Sequence, residues 1–215
     1  MKQEKLAHRI EPGQRLEKSF YERKEVTRIA RELLGKFLVR DVGDARCAGM
    51  ITETEAYAGR TDRACHAYGG RRTKRTEVMY RAGGTAYVYL CYGIHHLFNV
   101  ISGPKERPDA VLIRAIEASD GIDRLLRERR LERPKRNWLG GPGKLTHGLG
   151  LRTETHNGTD LTKDPELWIE DRGIEIPEKT IHTGSRIGID YAGPAAELPY
   201  RFYLQEKDAR HLMMS

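Results

Sequence analysis

Apolar residues recur along this chain at two spacings, which predict helices in some segments and strands in others. Between Val26 and Leu34 they recur at helical spacing, and Gly35 follows where a helix C-cap favours glycine. Residues 37–40 have the composition of a strand, and residues 42–44 that of a turn. A second strand is predicted over residues 47–55. Because side chains alternate along a strand, Glu53 and Glu55 share one of its faces.

The rest of the chain contains more strand-like than helical segments. It shows no βαβ alternation, no GxGxxG or Walker motif and no internal repeat, so we predict an α+β fold with an antiparallel or mixed sheet flanked by helices. Strands are predicted at 85–90, 97–101, 111–116, 167–170, 187–190 and 202–204, and a helix is predicted over 122–129.

The length of 215 residues suits one compact domain and is short for two domains with a linker. Residues 1–18 are charged and show little periodicity, so we expect a loosely ordered arm there. The single domain is then expected over residues 19–207, followed by a tail at 208–215.

The charge balance points to a polyanionic partner. Lys and Arg number 38 against 31 Asp and Glu, which gives a net charge of +7, and clustered cations bind phosphates largely through counterion release. A basic protein with no such partner is the alternative that charge alone leaves open.

The cysteines and the hydrophobic runs bear on compartment. Three cysteines without CxxC or zinc-finger spacing indicate neither a disulfide framework nor a structural zinc, which favours a reduced cytosol. No run approaches about 18 apolar residues, and the N-terminus is charged, so neither membrane spanning nor secretion is expected.

A glycine-rich segment at residues 140–145 looks like the start of a helix. Pro142 suits the first helical position, and Gly143 lets the backbone approach a ligand closely. Free N–H groups at such a helix start, together with Lys144, would suit a phosphate. An ordinary glycine-rich turn is the alternative.

Residues 54–93 combine side chains that chemistry on an extruded nucleobase requires. They carry a carboxylate at Glu55, a histidine at His66, several tyrosines and a basic run at residues 71–75. Stacking rings and a carboxylate can form a base-sized pocket, and cations can follow the phosphates beside it. Taken alone, alternating Tyr87 and Tyr89 would more often be packing residues.

Residues 51–99 closely resemble the alkyladenine (3-methyladenine) DNA glycosylase family, which removes damaged purines from DNA. The resemblance extends to about three quarters of the chain and implies a curved sheet like that of the C-terminal domain of methionyl-tRNA formyltransferases. The matching residues, in order, are Thr52-Glu53-Thr54-Glu55-Ala56-Tyr57, Asp62, His66, Gly69-Gly70-Arg71, Gly84-Thr85-Ala86-Tyr87-Val88-Tyr89, Tyr92-Gly93, Asn99, Val111-Leu112-Ile113-Arg114 and Gly141-Pro142-Gly143-Lys144-Leu145.

The resemblance implies a role for each matching residue. Glu55, rather than Glu53, is the expected general base that activates water, and a carboxylate also favours cationic character at the sugar carbon. Tyr92 is expected to fill the hole left in the duplex. The base is expected to stack between Tyr57, His66 and Tyr89, with Asn99 excluding guanine, Arg114 near the water and a phosphate, and Arg71, Arg72, Thr73, Arg75, Gly143 and Lys144 along the DNA backbone.

These roles together predict a DNA repair enzyme of the base excision pathway. It would flip alkylated or deaminated purines out of double-stranded DNA and hydrolyse the N-glycosidic bond, leaving an abasic site. No lysine follows or precedes Glu55 as a Schiff-base nucleophile would, which argues for water and against lyase activity. We expect no cofactor and no metal, and a cytoplasmic, bacterial-type, nucleoid-associated monomer.

Two other classes of function remain open at this level. An RNA-binding or non-catalytic module would use the positive charge without Glu55. A metal hydrolase would use acidic and imidazole ligands, although the chain lacks an HExxH-like pair. The segment after Tyr92-Gly93, Ile94-His95-His96-Leu97-Phe98, departs from the better-known mammalian members of the family and leaves the ranking of substrates open. The residues available to a metal would be Glu55, Asp62, His66, His95 and His96.

Overall fold

The computed structural model describes residues 12–43, 45–121 and 139–214, in which one curled antiparallel sheet forms the centre of the molecule. Helices and short 3-10 turns flank it. The strands are β1 Gln14–Arg15, β2 Phe37–Val42, β3 Ala45–Tyr57, β4 Ala86–Cys91, β5 His95–Ser102, β6 Asp109–Ala118, β7 Leu167–Asp171, β8 Ile181–Gly184 and β9 Arg201–Leu204. The α-helices are α1 Lys18–Tyr21, α2 Val26–Glu32, α3 Pro142–Leu149, α4 Thr153–His156 and α5 Glu206–Met214, and the longest 3-10 segment is Asp190–Glu197.

Strand β3 organises the sheet, because it pairs with three others. One edge pairs with β6 along most of its length, and the other edge pairs first with β2 and then with β9. The main order is β1-β7-β2-β3-β6-β5-β4, and β8 joins through β9. Strand β3 changes partner where two register shifts occur, between Ile51 and Thr54. Such bulges bend a strand and re-aim its side chains, and here they lie directly before Glu55.

The main core lies between the sheet and helix α2. Ile29 and Leu33 present a fully buried apolar face towards the sheet, as their helical spacing predicts. The hydroxyl of Thr54 on β3 donates a hydrogen bond to the carbonyl of Ala30 at 2.8 Å. Because side chains alternate along β3, this contact on the helix side directs neighbouring Glu55 to the opposite side of the sheet.

A second, smaller apolar cluster supports that opposite side. Met79, Tyr80, Tyr87 and Ile101 pack there with less than 3% of each residue exposed. The 3-10 helix Glu77–Tyr80 contributes the first two of these residues, and strands β4 and β5 contribute the others. The chain between Cys65 and Tyr80, which follows Glu55 in sequence, therefore packs against the sheet through an apolar cluster separate from the main core.

Most of the predicted elements are confirmed. Helix α2 ends at Glu32 and its C-cap is Leu33, so the cap predicted at Gly35 is wrong by two positions. Gly35 follows with a φ of 81°, and its amide donates to the carbonyl of Ile51 on β3. The predicted strands match β2 to β7 and β9, and the sheet is antiparallel throughout the described residues. The likeness to the formyltransferase domain stays a prediction.

One predicted strand is wrong, and several predicted segments lie partly or wholly outside the described residues. Residues 187–190 form no strand, because Gly188 has a φ of 75° and the amide of Ile187 bonds to a side chain instead of a neighbouring strand. The helix predicted over 122–129 and Asp44 of the predicted turn lie outside the described residues. Of the arm predicted at 1–18, Gln14–Arg15 pairs with β7, and most of the tail predicted from 208 belongs to helix α5.

None of the helices in these ranges has the length and apolar character needed to cross a lipid bilayer.

Candidate active site

A cavity of about 720 Å³ opens on the face of the sheet that carries Glu55. Strands β4, β5 and β6 form its floor, the start of helix α3 forms one side, and residues 187–191 form another. Its size falls within the range of small-molecule sites in proteins. The predicted residues that line it are Tyr57, His66, Arg75, Tyr89, Tyr92, Asn99, Arg114, Gly143 and Lys144.

Glu55 lies directly behind the part of the cavity lining formed by Tyr57, Arg114 and Ile187. It has no exposed surface. Its Oε1 accepts a hydrogen bond from the backbone N–H of Ile187 at 2.8 Å and lies 3.1 Å from Nη1 of Arg114. Its Oε2 accepts the hydroxyl of Tyr57 at 2.7 Å. A carboxylate offers about four lone-pair positions, so these three partners leave one position on Oε2 for a further donor such as water.

The environment of Glu55 makes it a stronger base than an ordinary glutamate. Burial raises the pKa of Glu55, and the charge of Arg114 and the hydrogen bonds from Ile187 and Tyr57 oppose that rise. Burial also raises the pKa of Tyr57 well above its usual value, helped by the charge of Glu55. The Tyr57 hydroxyl therefore stays protonated and remains a hydrogen-bond donor to the carboxylate.

Arg114 brings the two glutamates of β3 together. Its Nε lies 2.9 Å from Oε1 of Glu53, and its Nη1 contacts Glu55. The two glutamates therefore reach the same side of the sheet, as the alternation in the sequence predicted. Their surroundings differ, because Glu53 also pairs with Arg201 at 3.1 Å and keeps 20% of its side chain exposed. Glu53 therefore has two guanidinium partners and contact with solvent, whereas Glu55 is fully buried.

Three neighbouring rings line the cavity, those of His66, Tyr87 and Tyr89. The ring of His66 contacts Tyr89 edge to face, with centroids 4.7 Å apart, and its Nδ1 lies 2.9 Å from the hydroxyl of Tyr87. Burial lowers the pKa of His66 to about 4, helped by the positive charges of Arg75 and Arg71. His66 is therefore neutral near pH 7 and presents an uncharged ring to the cavity.

Arg75 occupies part of the stacking surface of the cavity. Its guanidinium lies 4.8 Å from the centroid of Tyr89, within the range of a cation–π contact. Arg75 is also largely exposed to solvent. A flat ligand that stacked on this face of Tyr89 would require Arg75 to move outwards.

Asn99 is buried in the floor of the cavity on strand β5. Its side-chain nitrogen donates to the carbonyl of Tyr87 at 3.1 Å, and it pairs in register with Tyr87 on β4 and Leu112 on β6. This hydrogen bond fixes the amide, so the shape of the floor at this position is defined before any ligand enters.

Tyr92 lies at the tip of the hairpin that joins β4 and β5, where it is 90% exposed. Its φ of 50° is unusual for a residue with a side chain, and Gly93 beside it has a φ of 72°. Exposed tyrosine in a strained turn contributes little to folding, so a role in binding is the better explanation of this arrangement.

The basic run at residues 71–75 is exposed beside the cavity, but its members differ in their partners. Arg72 lies between two carboxylates, 2.7 Å from both Glu77 and Glu106. Thr73 forms a local turn through contacts with Thr76. Among the predicted backbone contacts, Arg72 is therefore already neutralised by its neighbours, whereas no carboxylate contact of this kind involves Arg71 or Arg75 in the described structure.

Helix α3 begins at Pro142, as the glycine-rich segment predicted. Gly141 has a φ of 120°, a conformation that favours glycine. Glycine also suits position 143, because a Cβ there would lie 3.0 to 3.2 Å from atoms of the His95 side chain, which would then have to shift slightly. Lys144 is exposed in the first turn, at the edge of the cavity.

Residues from the C-terminal part of the chain also close the cavity, and sequence analysis did not identify them. Arg186 is buried, forms a bidentate ion pair with Asp62 and donates to the carbonyl of Ala56 at 2.8 Å. Its guanidinium also lies 4.7 Å from the centroid of the Tyr57 ring. This network holds the segment that carries Ile187 against Glu55. Asp62, which lies within the matching motif, was the one available signal.

The residues considered for a metal site are separated in the structure. Glu55 contacts Arg114, Asp62 pairs with Arg186, and Nδ1 of His96 accepts the amide of Thr153 at 3.2 Å. Across the ranges that the structure describes, no three His, Cys, Asp or Glu side chains come together as metal ligands. The geometry thus gives no support to the metal-hydrolase interpretation.

Comparison with known proteins identifies the family. The model of the methylpurine-DNA glycosylase (MPG) family matches residues 19–208. A protein of Bacillus cereus (strain AH820) is 46% identical over 195 residues, which cover 87% of this chain and 94% of the relative. A protein of Chlamydia felis (strain Fe/C-56) is 43% identical over 198 residues, which cover 92% and 100% of the two chains. Both relatives are named "Putative 3-methyladenine DNA glycosylase". The chain therefore belongs to the methylpurine-DNA glycosylase family.

Proposed function

We propose that this protein is a DNA glycosylase of base excision repair that flips alkylated or deaminated purines out of duplex DNA and hydrolyses their N-glycosidic bond. The observation that carries this proposal is the buried carboxylate of Glu55, held by Arg114, Tyr57 and Ile187 directly behind an aromatic cavity. Family membership and the names of the relatives support the same activity on alkylated purines.

In this mechanism Glu55 is the general base. The free lone-pair position on Oε2 accepts a proton from water, which attacks the sugar carbon as the bond to the purine breaks. The negative charge of Glu55 also favours the cationic character that develops on the sugar. Glu55 has no exposed surface. Tyr57 and Ile187, which separate it from the cavity, must therefore move apart by about the width of a water molecule when DNA binds.

The cavity supplies the binding energy for the extruded base. Tyr57, the neutral ring of His66 and Tyr89 offer π-faces on which a flat purine can stack, and such contacts contribute about 1–3 kcal/mol per base. Tyr92 fills the space that the base leaves in the duplex, which offsets part of the cost of unstacking. Asn99 on the floor excludes the 2-amino group of guanine by steric contact.

We propose that the reaction is monofunctional, because an N-glycosylase with lyase activity needs an amine that attacks the sugar. Among the cavity-lining residues that the structure describes, Lys144 is the one lysine, and it lies at the edge of the cavity. The three polar contacts of Glu55 are to Arg114, Tyr57 and Ile187. Water is therefore the better nucleophile at this carboxylate.

The test is release of free base under single-turnover conditions from duplexes that each contain one lesion. Suitable lesions are 3-methyladenine, 7-methylguanine, hypoxanthine and ethenoadenine, with Glu55→Gln as the blank. We expect base release and an intact abasic strand, without a protein–DNA adduct after borohydride reduction. Failure to release any of these bases would refute the proposed activity. An adduct that disappears in Lys144→Ala would refute the monofunctional mechanism.

A further inference from the structure

Beyond the cavity of the candidate active site, a second groove of about 480 Å³ lies on the other side of the β4–β5 hairpin. Side chains alternate along β5, and His96 lines this groove whereas Leu97 and Asn99 line the first cavity. Three elements form the groove: the hairpin from Ile94 to His96, helix α3, and the loop that leads to Arg152. It shares His95, Gly143 and Lys144 with the base cavity. His95, Gly143 and Lys144 therefore lie between two depressions on one surface.

The groove is strongly basic. Lys144 and His147 lie three residues apart on α3, so they project from the same face of the helix. Arg152 adds a second full positive charge, and His95 and His96 contribute two more imidazoles. None of the lining residues that the structure describes is acidic. A concave surface with this charge attracts a polyanion.

Arg152 is held in place by its backbone while its side chain stays exposed. Gly150 caps α3 with a φ of 70° and reverses the chain, and Leu151 after it is buried. The amide of Arg152 then donates to Nδ1 of His156 at 3.0 Å, and the amide of the next residue, Thr153, donates to Nδ1 of His96 at 3.2 Å. Two imidazole rings thus fix the position of a cation that no part of the catalytic proposal uses.

We propose that this groove binds phosphates of the undamaged DNA strand, opposite the lesion. This inference rests on the proposed function, in which the base cavity holds a nucleotide extruded from the damaged strand and Tyr92 fills the gap in the duplex. The hairpin then enters the duplex with the damaged strand on its cavity side. Its other side faces the partner strand, and the basic groove lies on that side. Ile94, which is 72% exposed at the rim, can pack against a base beside the gap.

The test measures the affinity for a duplex that contains a stable tetrahydrofuran abasic analogue, so that no catalysis is required. Arg152→Ala should weaken binding several-fold at physiological salt and reduce the dependence of log Kd on log salt by about one unit. Arg152→Lys should retain most of the affinity, because it keeps the charge. Lys179→Ala removes an exposed cation that lines neither depression and should change the affinity little.

Uncharged methylphosphonate linkages identify the strand. Placed opposite the lesion in the undamaged strand, they should weaken the wild type but weaken Arg152→Ala much less, because the contact is already lost. Placed in the damaged strand, they should weaken both proteins equally. The proposal would be overturned if methylphosphonates in the undamaged strand weakened the wild type and Arg152→Ala equally, or if Arg152→Ala changed only the response to methylphosphonates in the damaged strand. Equal losses of affinity in Arg152→Ala and Lys179→Ala would also overturn it. If the protein releases no base but Arg152→Ala still abolishes the response to methylphosphonates in the undamaged strand, the proposed activity is refuted and the proposed phosphate contact of the groove is retained.

Discussion

Glu55 and Tyr92 are opposites within one site. Glu55 has no exposed surface, accepts hydrogen bonds from Tyr57 on β3 and from the segment after β8, and forms an ion pair with Arg114 on β6, whereas Tyr92 is 90% exposed on a hairpin tip. A general base benefits from a fixed position and restricted solvent, because its basicity and orientation are then set before substrate arrives. A wedge must instead be free to enter the duplex. The comparison suggests that the two can be altered separately, the first affecting chemistry and the second affecting capture of the extruded base.

The largest expected effect is on chemistry, from Glu55→Gln. The amide keeps the shape of the side chain but cannot accept a proton from water, so we expect the single-turnover rate to fall by about 10²–10⁴-fold with DNA affinity retained. Glu53→Gln is the matched control on the same strand and should lose much less. A rate in Glu55→Gln close to that of the wild type would move the general base to Glu53 or elsewhere.

The second prediction concerns the pH dependence of that chemistry. Burial raises the pKa of Glu55, and the base acts only when it is ionised. The rate should therefore fall about tenfold per pH unit as the pH drops below this raised pKa. A duplex that contains hypoxanthine is suitable for the measurement.

His66 provides the control for the pH dependence. Because its pKa is lowered to about 4, it stays neutral through the mildly acidic range. His66→Phe should reduce base release yet leave the midpoint of the acid limb unchanged. A midpoint that shifts with His66→Phe would assign the limb to the histidine instead.

The third prediction tests the exposed residue of the pair, Tyr92, with the variant Tyr92→Gly. Loss of the ring should weaken capture of the extruded base by roughly tenfold or more on stable base pairs and by less on mismatched lesions, where opening costs less. Glycine also relieves the positive φ of 50°, so the stability of the protein should stay the same or rise by about 1 kcal/mol. Excision by lesion type and thermal unfolding measure the two effects. Equal losses on both kinds of lesion would argue against a wedge.

The smallest effect is expected at Asn99, on selectivity. Asn99→Ser shortens the side chain on the floor, so the ratio of guanine to hypoxanthine release should rise a few-fold, measured on otherwise identical duplexes. Leu112→Val also enlarges the floor, but at the position paired with Asn99 on β6, and it serves as control. If both variants raise the ratio equally, cavity size rather than the Asn99 amide excludes guanine.

The parts of the fold that were predictable from sequence are those set by local periodicity. Helix α2 and strands β2 and β3 follow from residues that are neighbours along the chain. The strand predicted at 187–190 failed for the converse reason. Its apolar composition suits a strand, but a side chain from a distant element captures the amide of Ile187 and Gly188 adopts a positive φ.

The sequence by itself determined which residue types stand at matching positions, and with them the set of candidate rings, carboxylates and cations. Only the tertiary structure decided how they are paired. Ile187 lies 132 positions from Glu55 and Arg186 lies 124 from Asp62, and no local pattern links residues at such separations. The same applies to burial: Glu53 and Glu55 are equivalent in the alternation of β3, and they differ because β6, β9 and the segment after β8 surround them unequally. Tertiary packing is therefore what separates the buried carboxylate proposed as the general base from its partly exposed neighbour.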